Sequence, residues 1–208
     1  NYMKITFLLP YASLSGGVRY IVSLSNQLKE LGHDVNIYSR PWKDNRPWRV
    51  KRVVKNFILL CRRIYFAKNE PDKPKSRSGY FALYDVENNI INRARNFVDN
   101  DLPDADWVIA CWFDLVRPMD TLSVKKGKRA HLIQGDEAKF CGKGEEHEVD
   151  ASWRHNSVKI TCSQWLSDLG LERYGIPNIP FVEPGIDHDL FGANDRSRSS
   201  SPVLGFMF

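Results

Sequence analysis

KITFLLPYASLSGGVRYIVSLSNQLKELGHDVNIYS, residues 4–39, is the stretch that decides the fold class. It opens on an apolar run, residues 4–10, whose length and composition are typical of a buried parallel strand. Apolar residues then recur at helical spacing from Val18 to Leu31, and a glycine at position 32 ends that helix. Residues 35–39 resume as a strand. A strand, a glycine turn, a helix and a second strand form the basic unit of a parallel α/β sheet.

The rest of the chain continues this alternation. The pattern predicts strands over residues 106–112, 129–134, 158–162 and 180–183, and helices over residues 87–99, 145–155 and 165–174, with a short helical piece near residues 115–124. Ser163 is the predicted cap of the helix at residues 165–174, and Gly175 is its predicted end. We therefore expect an α/β fold with a doubly wound, mostly parallel, Rossmann-like sheet.

The glycine turn is the first candidate binding site, because ligands of such sheets bind beyond the carboxyl ends of the strands. A helix begins directly behind Ser15, Gly16 and Gly17, and its first backbone N–H groups have no partner within the helix. These groups and the helix dipole favour an anionic or polar ligand, and glycines let the ligand approach closely. Arg19 is placed to pair with a phosphate or a carboxylate. The alternative is that the two glycines only make a tight turn.

Several ordered motifs resemble one enzyme family. The Gly-Gly-Val-Arg turn at residues 16–19, the leucine-containing helix and the Gly-His-Asp-Val segment at residues 32–35 are similar to the opening of retaining GT-B glycosyltransferases of family four. The branch with bacterial polysaccharide rhamnosyltransferases is the most similar. Residues 160–166 resemble that family's strand–serine–helix element, and residues 184–187 resemble its glycine turn, with Pro184 where asparagine is usual. The resemblance is weakest over residues 40–105.

A second motif follows the predicted strand at residues 129–134. His131, Gln134 and Glu137 resemble the His-x-x-Gln-x-x-Glu segment of the rhamnosyltransferase branch. We expect Asp136 and Glu137 to bind acceptor hydroxyls or to act in acid–base chemistry, the alternative being that they cap a surface loop. His131 lies inside the strand, so we expect it to be a packed core residue and not to take the role of the family's usual strand-end histidine.

The resemblance implies an activity and a set of binding residues. The protein would transfer a sugar from a nucleotide diphosphate donor to a glycan or lipid-linked acceptor in bacterial polysaccharide synthesis, with no metal and no cofactor beyond the nucleotide sugar. No catalytic residue is assigned. The residues that we predict to bind substrate are Ser15, Gly16, Gly17, Arg19, Gln134, Asp136, Glu137 and Gly185.

The predicted domain organisation follows the same resemblance. Residues 1–191 would form the acceptor-side domain, residues 192–202 a linker rich in serine and arginine, and residues 203–208 the first strand of a donor domain. On this interpretation the chain is the acceptor-side half of a longer enzyme. We therefore expect it to be inactive alone.

The net charge of +5 is concentrated in one segment. Residues 40–77 contain thirteen lysines and arginines and three acidic residues, and residues 48–66 have helical periodicity with a continuous apolar side. A basic amphipathic helix suits an anionic membrane surface, and its predicted contacts are Lys51, Arg52, Lys55, Arg62 and Arg63. The alternatives are a core-packing helix with a solvated basic side, or one that faces an anionic substrate. Nucleic acid is not an expected partner, because no recognition motif accompanies the charge.

Composition and cysteine spacing bear on location and metal binding. No apolar run approaches the length of a membrane span and no signal peptide is recognised, so we expect a cytoplasmic protein, peripheral on the inner face of the membrane. Cys61, Cys111, Cys141 and Cys162 are widely spaced, which predicts neither a disulfide framework nor a zinc site. Cys111 and Cys162 lie in predicted strands and should be buried thiols.

Two other functions remain compatible with the sequence. A dinucleotide-binding module would need a third glycine in the turn and an acidic residue at the end of the second strand, and both are missing. Arg40 at that position still permits an NADP-type site that binds a 2′-phosphate. The other alternative is a non-catalytic protein of the same fold that binds a membrane surface or a glycan.

Overall fold

The described chain forms a parallel sheet between layers of helices and turns. The computed structural model describes residues 2–41, 79–84, 86–92, 95–186 and 188. The six strands are β1 Lys4–Leu9, β2 Asp34–Ser39, β3 Asn88–Ile90, β4 Trp107–Ala110, β5 Lys128–Ile133 and β6 Val158–Thr161. Every strand pair is parallel, in the order β3-β2-β1-β4-β5-β6. This arrangement confirms the predicted doubly wound α/β fold.

The described parts of the connections between the strands contain helices and short 3₁₀ turns. The described helices are α1 Gly16–Glu30, α2 Tyr80–Leu83, α3 Glu146–Arg154 and α4 Gln164–Tyr174. Short 3₁₀ turns occupy Phe113–Leu115, Arg117–Thr121, Val124–Lys126 and Glu137–Lys139. The chain leaves β1 toward β2 on one side, and β4 lies on the other side. Such a reversal of strand order opens a crevice at the carboxyl ends, where ligands of this architecture bind.

Alternating residues of β1 face two separate cores. Phe7 packs with Ile21 of α1 and Ile37 of β2 in one buried cluster, whereas Leu8 belongs to a cluster on the other side with Val108 of β4. Burial of one such side chain stabilises the fold by about 1.5–3 kcal/mol. A third cluster, which includes Ile133, Trp153 and Leu166, joins β5 to α3 and α4. These clusters hold the carboxyl ends of β1, β4 and β5 beside one another.

Two predicted elements differ from the structure. The helix predicted over residues 87–99 is wrong, because Asn88–Ile90 forms the edge strand β3, paired with β2. The buried Asn88 amide donates a hydrogen bond to Ser39 Oγ of β2, a long-range contact that helical periodicity cannot predict. The strand predicted over residues 180–183 is reduced to a single bridge between Phe181 and Thr161.

The other helix predictions agree with the structure within one or two residues. The short helical piece near residues 115–124 is a series of 3₁₀ turns. Gly175 ends α4 in a left-handed conformation, with φ of 69°. Ser163 stands at the N-cap of α4, but its hydroxyl has no hydrogen-bond partner among the described residues, so the predicted capping bond is absent.

Several predictions fall on residues outside the described ranges. These are the basic segment over residues 48–66 with its membrane contacts, the linker over residues 192–202 and the strand over residues 203–208. Within the ranges given above, no helix is long and apolar enough to cross a membrane. Cys111, Cys141 and Cys162 are free thiols, with Cys111 buried and the other two half-buried.

Candidate functional site

A cavity of about 670 Å³, here called the central cavity, lies at the carboxyl ends of β1, β4 and β5. The N-terminal turn of α1 forms one wall. Polar groups on its lining come from Ser13, Ser15, Gly16, Gly17, Gln134 and Glu137. Trp112 and Phe140 add aromatic surface. The cavity therefore unites the glycine turn with the end of β5, two sites that the sequence suggested separately.

Ser15 fixes the start of the α1 wall. It has an extended backbone conformation at the N-cap, and its Oγ accepts a hydrogen bond of 3.3 Å from the Val18 amide. The first turn of α1 contains no acidic residue, so no side chain there offsets the positive end of the helix dipole. This wall can stabilise a negative charge or accept a ligand oxygen.

The side chain of Gln134 approaches position 17 so closely that only glycine fits there without a shift of the neighbouring atoms. A Cβ atom on Gly17 would lie 2.9 Å from Gln134 Oε1, whereas one on Gly16 would meet no described atom within 4 Å. Neither glycine has a positive φ, so the constraint is space and not backbone strain. The turn therefore does more than change the direction of the chain, because it lets the amide of β5 rest on the first turn of α1.

Glu137 and His131 form a buried pair beneath the central cavity. The side chains are 2% and 0% exposed, and Glu137 Oε2 lies 3.5 Å from His131 Nε2. Neither carboxylate oxygen and neither ring nitrogen has a hydrogen-bond partner within the described residues. The prediction that His131 lies in the core is confirmed. A buried histidine usually forms a hydrogen bond with another core residue, but His131 forms none with the described residues.

Asp136 does not line the central cavity. Its buried carboxylate accepts a hydrogen bond of 3.3 Å from Arg173 of α4 and lies 3.4 Å from Lys139 Nζ. Two cations thus offset the burial of its charge. The neighbouring carboxylates of the predicted pair have different surroundings: Asp136 ties its loop to α4, and Glu137 turns toward the cavity.

A second cavity of about 490 Å³, the flanking cavity, lies along α1 and shares Gly16 with the first. Arg19, Ser23, Gln27, Glu183 and Gly185 contribute to its lining. The guanidinium of Arg19 lies 5.9 Å from the centre of the Tyr80 ring, a cation–π contact. Tyr20 donates a hydrogen bond of 2.7 Å to the Val182 carbonyl, which holds the loop over residues 182–186 against α1.

The predicted binding residues, apart from Asp136, thus divide between two adjoining cavities; Asp136 lines neither, and its prediction as a substrate contact is not supported. Ser15, Gly16, Gly17, Gln134 and Glu137 belong to the central cavity; Gly16 also joins Arg19 and Gly185 in the flanking one. No family model and no curated protein matches this chain.

Three of the lining residues that were not predicted as ligand contacts bear on the chemistry of the central cavity. These are Trp112, Phe140 and Cys111, and only the position of Cys111 and Trp112 at the end of a predicted strand could have indicated them. Burial, with the nearby charge of Glu137, raises the pKa of the Cys111 thiol. Cys111 therefore stays protonated and is a poor nucleophile. Within the described ranges, no group of three or more His, Cys, Asp or Glu residues is arranged to hold a metal ion.

The end of β2 bears on the dinucleotide alternative. Ser39, where such modules place an acidic residue for the ribose, is fully buried and bonded to Asn88. The Arg40 guanidinium forms an ion pair with Asp114 and also donates to the Pro10 carbonyl. Both positions are thus engaged in contacts of the fold, which disfavours a 2′-phosphate site there.

Proposed function

We propose that this chain is the acceptor-side part of a glycosyltransferase that moves a sugar from a nucleotide diphosphate donor to a glycan or lipid-linked acceptor. The observation that carries the proposal is the lining of the central cavity. It places the positive end of α1, the amide of Gln134 and the buried side chain of Glu137 around one space with two aromatic rings. Hydroxyl groups and a pyranose face are the ligand features that such a lining matches. The family resemblance over residues 16–35 and 131–137 points the same way.

The proposal gives the walls of the cavities different tasks. In glycosyl transfer negative charge develops on the departing diphosphate, and the N-terminal turn of α1 would stabilise it with backbone N–H groups and the helix dipole. Gln134 and Glu137 would orient acceptor hydroxyls from the opposite wall. Trp112 and Phe140 would cover the apolar face of the sugar ring and exclude water. Arg19, in the flanking cavity beside Gly16, would attract the anionic part of the donor.

The experiment that tests this proposal uses the protein expressed from its complete gene. It is incubated with radiolabelled nucleotide diphosphate sugars and with membranes of its own organism as the source of acceptor. We expect label in a glycan or glycolipid product. The matched control replaces Glu172, an exposed residue of α4 that does not line the central cavity, by glutamine and should retain transfer. Absence of labelled product with every donor would contradict the proposal.

The two alternatives give different results in simple binding measurements. A dinucleotide-binding module would change the fluorescence of NADPH at micromolar protein and would bind nucleotide sugars weakly. A non-catalytic glycan-binding protein would bind sugars in the central cavity and transfer none. Transfer of label separates the proposed enzyme from both.

A further inference from the structure

The His131–Glu137 pair is unusual among the buried polar groups described above. Glu137 lies in the first turn after β5, and its side chain lines the central cavity, although its carboxylate oxygens are shielded from solvent. His131 is deeper, within β5, where it stands in register with Ala110 of β4 and Lys159 of β6. The sheet therefore fixes the histidine, whereas the glutamate occupies the boundary between the core and the cavity.

Burial of a carboxylate without hydrogen-bond donors is strongly unfavourable. The neighbouring Asp136 is a buried carboxylate with a structural role, and two cations, Arg173 and Lys139, lie near it. Glu137, one residue later, is contacted only at 3.5 Å by an imidazole among the described groups. Because the Glu137 side chain lines the central cavity, a ligand bound there can approach it and supply a donor.

We propose that Glu137 is the hydrogen-bond acceptor for a hydroxyl group of a neutral sugar in the central cavity, and that His131 is the positioning residue that holds its carboxylate at the cavity floor. The identity of the ligand as a sugar rests on the proposed function. The pairing of a ligand donor with Glu137 rests on the geometry alone.

The charges around the cavity favour a neutral hydroxylated ligand. A cation at Glu137 would be repelled by the positive end of α1 across the cavity, and an anion placed directly beside Glu137 would be repelled by its carboxylate. A hydroxyl group both donates and accepts hydrogen bonds. A ring bearing several hydroxyls can donate to Glu137 and accept from the Gln134 amide at once. Trp112 and Phe140 provide the surface against which the apolar face of such a ring can pack.

The test measures binding of a panel of methyl hexopyranosides to the chain by saturation-transfer NMR, with the variants Glu137→Gln and His131→Gln. We expect the Glu137→Gln variant to lose tenfold or more in affinity, since a hydrogen bond to a charged acceptor is replaced by a weaker one. The His131→Gln variant should lose a smaller factor, because the carboxylate remains but is held less firmly. The Glu172→Gln variant is the control for an exposed carboxylate and should bind as the original chain does.

A second measurement separates positioning from a merely structural role. The ring ¹⁵N resonances of His131 should move when a methyl glycoside saturates the original chain, because the ligand changes the hydrogen bonding of the carboxylate beside the ring. The same addition to the Glu137→Gln variant should leave them in place. This measurement on the original chain needs no variant, so it decides the matter even if a substitution prevents folding.

Equal binding by the original chain and the Glu137→Gln variant would overturn the inference, as would saturation without a shift of the His131 resonances. Failure of every methyl hexopyranoside to bind the original chain would overturn it too. Failure of the proposed function has a different signature: binding that depends on Glu137, with no transfer of label by the protein from the complete gene. In that case Glu137 and His131 serve a glycan-binding site.

Discussion

The side-chain amide of Gln134, at the end of β5, lies against Gly17 of α1 so closely that a methyl group on Gly17 would stand 2.9 Å from Gln134 Oε1. A methyl group on the neighbouring Gly16 would meet no described atom within 4 Å. Two adjacent glycines, alike in sequence, thus have different constraints. Gly17 sets the position of a cavity side chain, and Gly16 leaves room beside the helix terminus.

Substitution Gly17→Ala should displace the Gln134 amide from the central cavity, whereas Gly16→Ala should leave it in place. Each change replaces glycine by a better helix former, so neither should destabilise α1, and a gain of up to about 1 kcal/mol is expected. The measurement is the position of the Gln134 side-chain NH₂ resonances, beside the melting temperature. Unmoved resonances in the Gly17→Ala variant would refute the close approach as the reason for glycine. In the control variant Gly17→Ala/Gln134→Ala the Gln134 amide is gone, so the alanine at position 17 should contribute its helix propensity with no overlap.

Gly170 of α4 provides a test of the core beneath the site. A Cβ atom there would overlap Ile179 Cδ1 and lie 3.0 Å from Trp153 Cζ3, both within the third hydrophobic cluster. Gly170→Ala should therefore destabilise the fold by about 1–3 kcal/mol, despite the higher helix propensity of alanine. Urea unfolding measures the effect.

The partner variant for this test is Ile179→Val, which alone should cost about 0.5–1.5 kcal/mol. Combined with Gly170→Ala it should cost less than the sum of the two, because the shorter side chain relieves the overlap. Additive costs would show that the destabilisation of Gly170→Ala has another cause.

Lys159 should make stability depend on alkaline pH. Burial lowers the pKa of its ammonium group to about 8, while Nζ donates to the His155 and Ser157 carbonyls at 2.6 Å and 2.8 Å. The unfolded chain, with a lysine pKa of about 10.4, binds more protons between these two values. The free energy of unfolding therefore gains a favourable contribution as pH rises from about 8 to about 10.

The Lys159→Met variant should lack this rise and should be comparatively more stable below about pH 8, where the buried charge is unfavourable. Because the oxygen acceptors around Nζ offset part of the cost of burying its charge, we expect a difference on the order of 1 kcal/mol between the two pH profiles. Urea unfolding of both proteins at several pH values measures it. Parallel profiles for the original chain and the variant would show that Lys159 does not titrate in this range.

The basic segment over residues 48–66 should bring the protein to anionic membranes. Each lysine or arginine near such a surface contributes about 1 kcal/mol, and salt screens the attraction. Liposome sedimentation should therefore show binding that needs anionic lipid and weakens as salt is added. Arg62→Glu with Arg63→Glu should reduce it strongly.

The matched control for the membrane experiment carries the same change of charge elsewhere. Lys125 and Lys143 are exposed residues of the described chain. Their replacement by glutamate should affect liposome binding much less. Equal losses in the two double variants would mean that total charge, and not the basic segment, determines binding. Equal binding to neutral liposomes would contradict the electrostatic basis of the prediction.

The sequence predicted the fold where local pattern and long-range pairing agree. Residues 4–39 combine strand and helix periodicity with turn residues at each boundary, and the structure follows them closely. Residues 87–99 show the opposite case. The polar Asn88 and Asn89 lack a strand pattern, and their pairing with β2 depends on a segment distant in sequence. Tertiary pairing overrides propensity there.

The candidate site was predictable in its parts but not in its assembly. The glycine turn and the end of β5 each carry a local motif, so both were found. Whether Asp136 or Glu137 lines the cavity depends on the direction of the 3₁₀ turn Glu137–Lys139. It also depends on the two cations near Asp136, Lys139 and Arg173. The contact of Gln134 with Gly17 likewise depends on the placement of β5 beside the β1–α1 turn. Sequence spacing contains no information on either.

The burial of His131 against Glu137 also constrains how this protein can diverge. Replacement of one of the two residues leaves the other as an unpaired polar group in the core. Replacement of both by apolar residues of similar volume is often neutral or stabilising. A lineage that keeps the cavity's chemistry should inherit the two residues together. A lineage that no longer uses the cavity should lose His131 and Glu137 in close succession, and its proteins should become more stable against unfolding. The pair is therefore a marker that could distinguish descendants that still use this cavity from those that retain only the architecture.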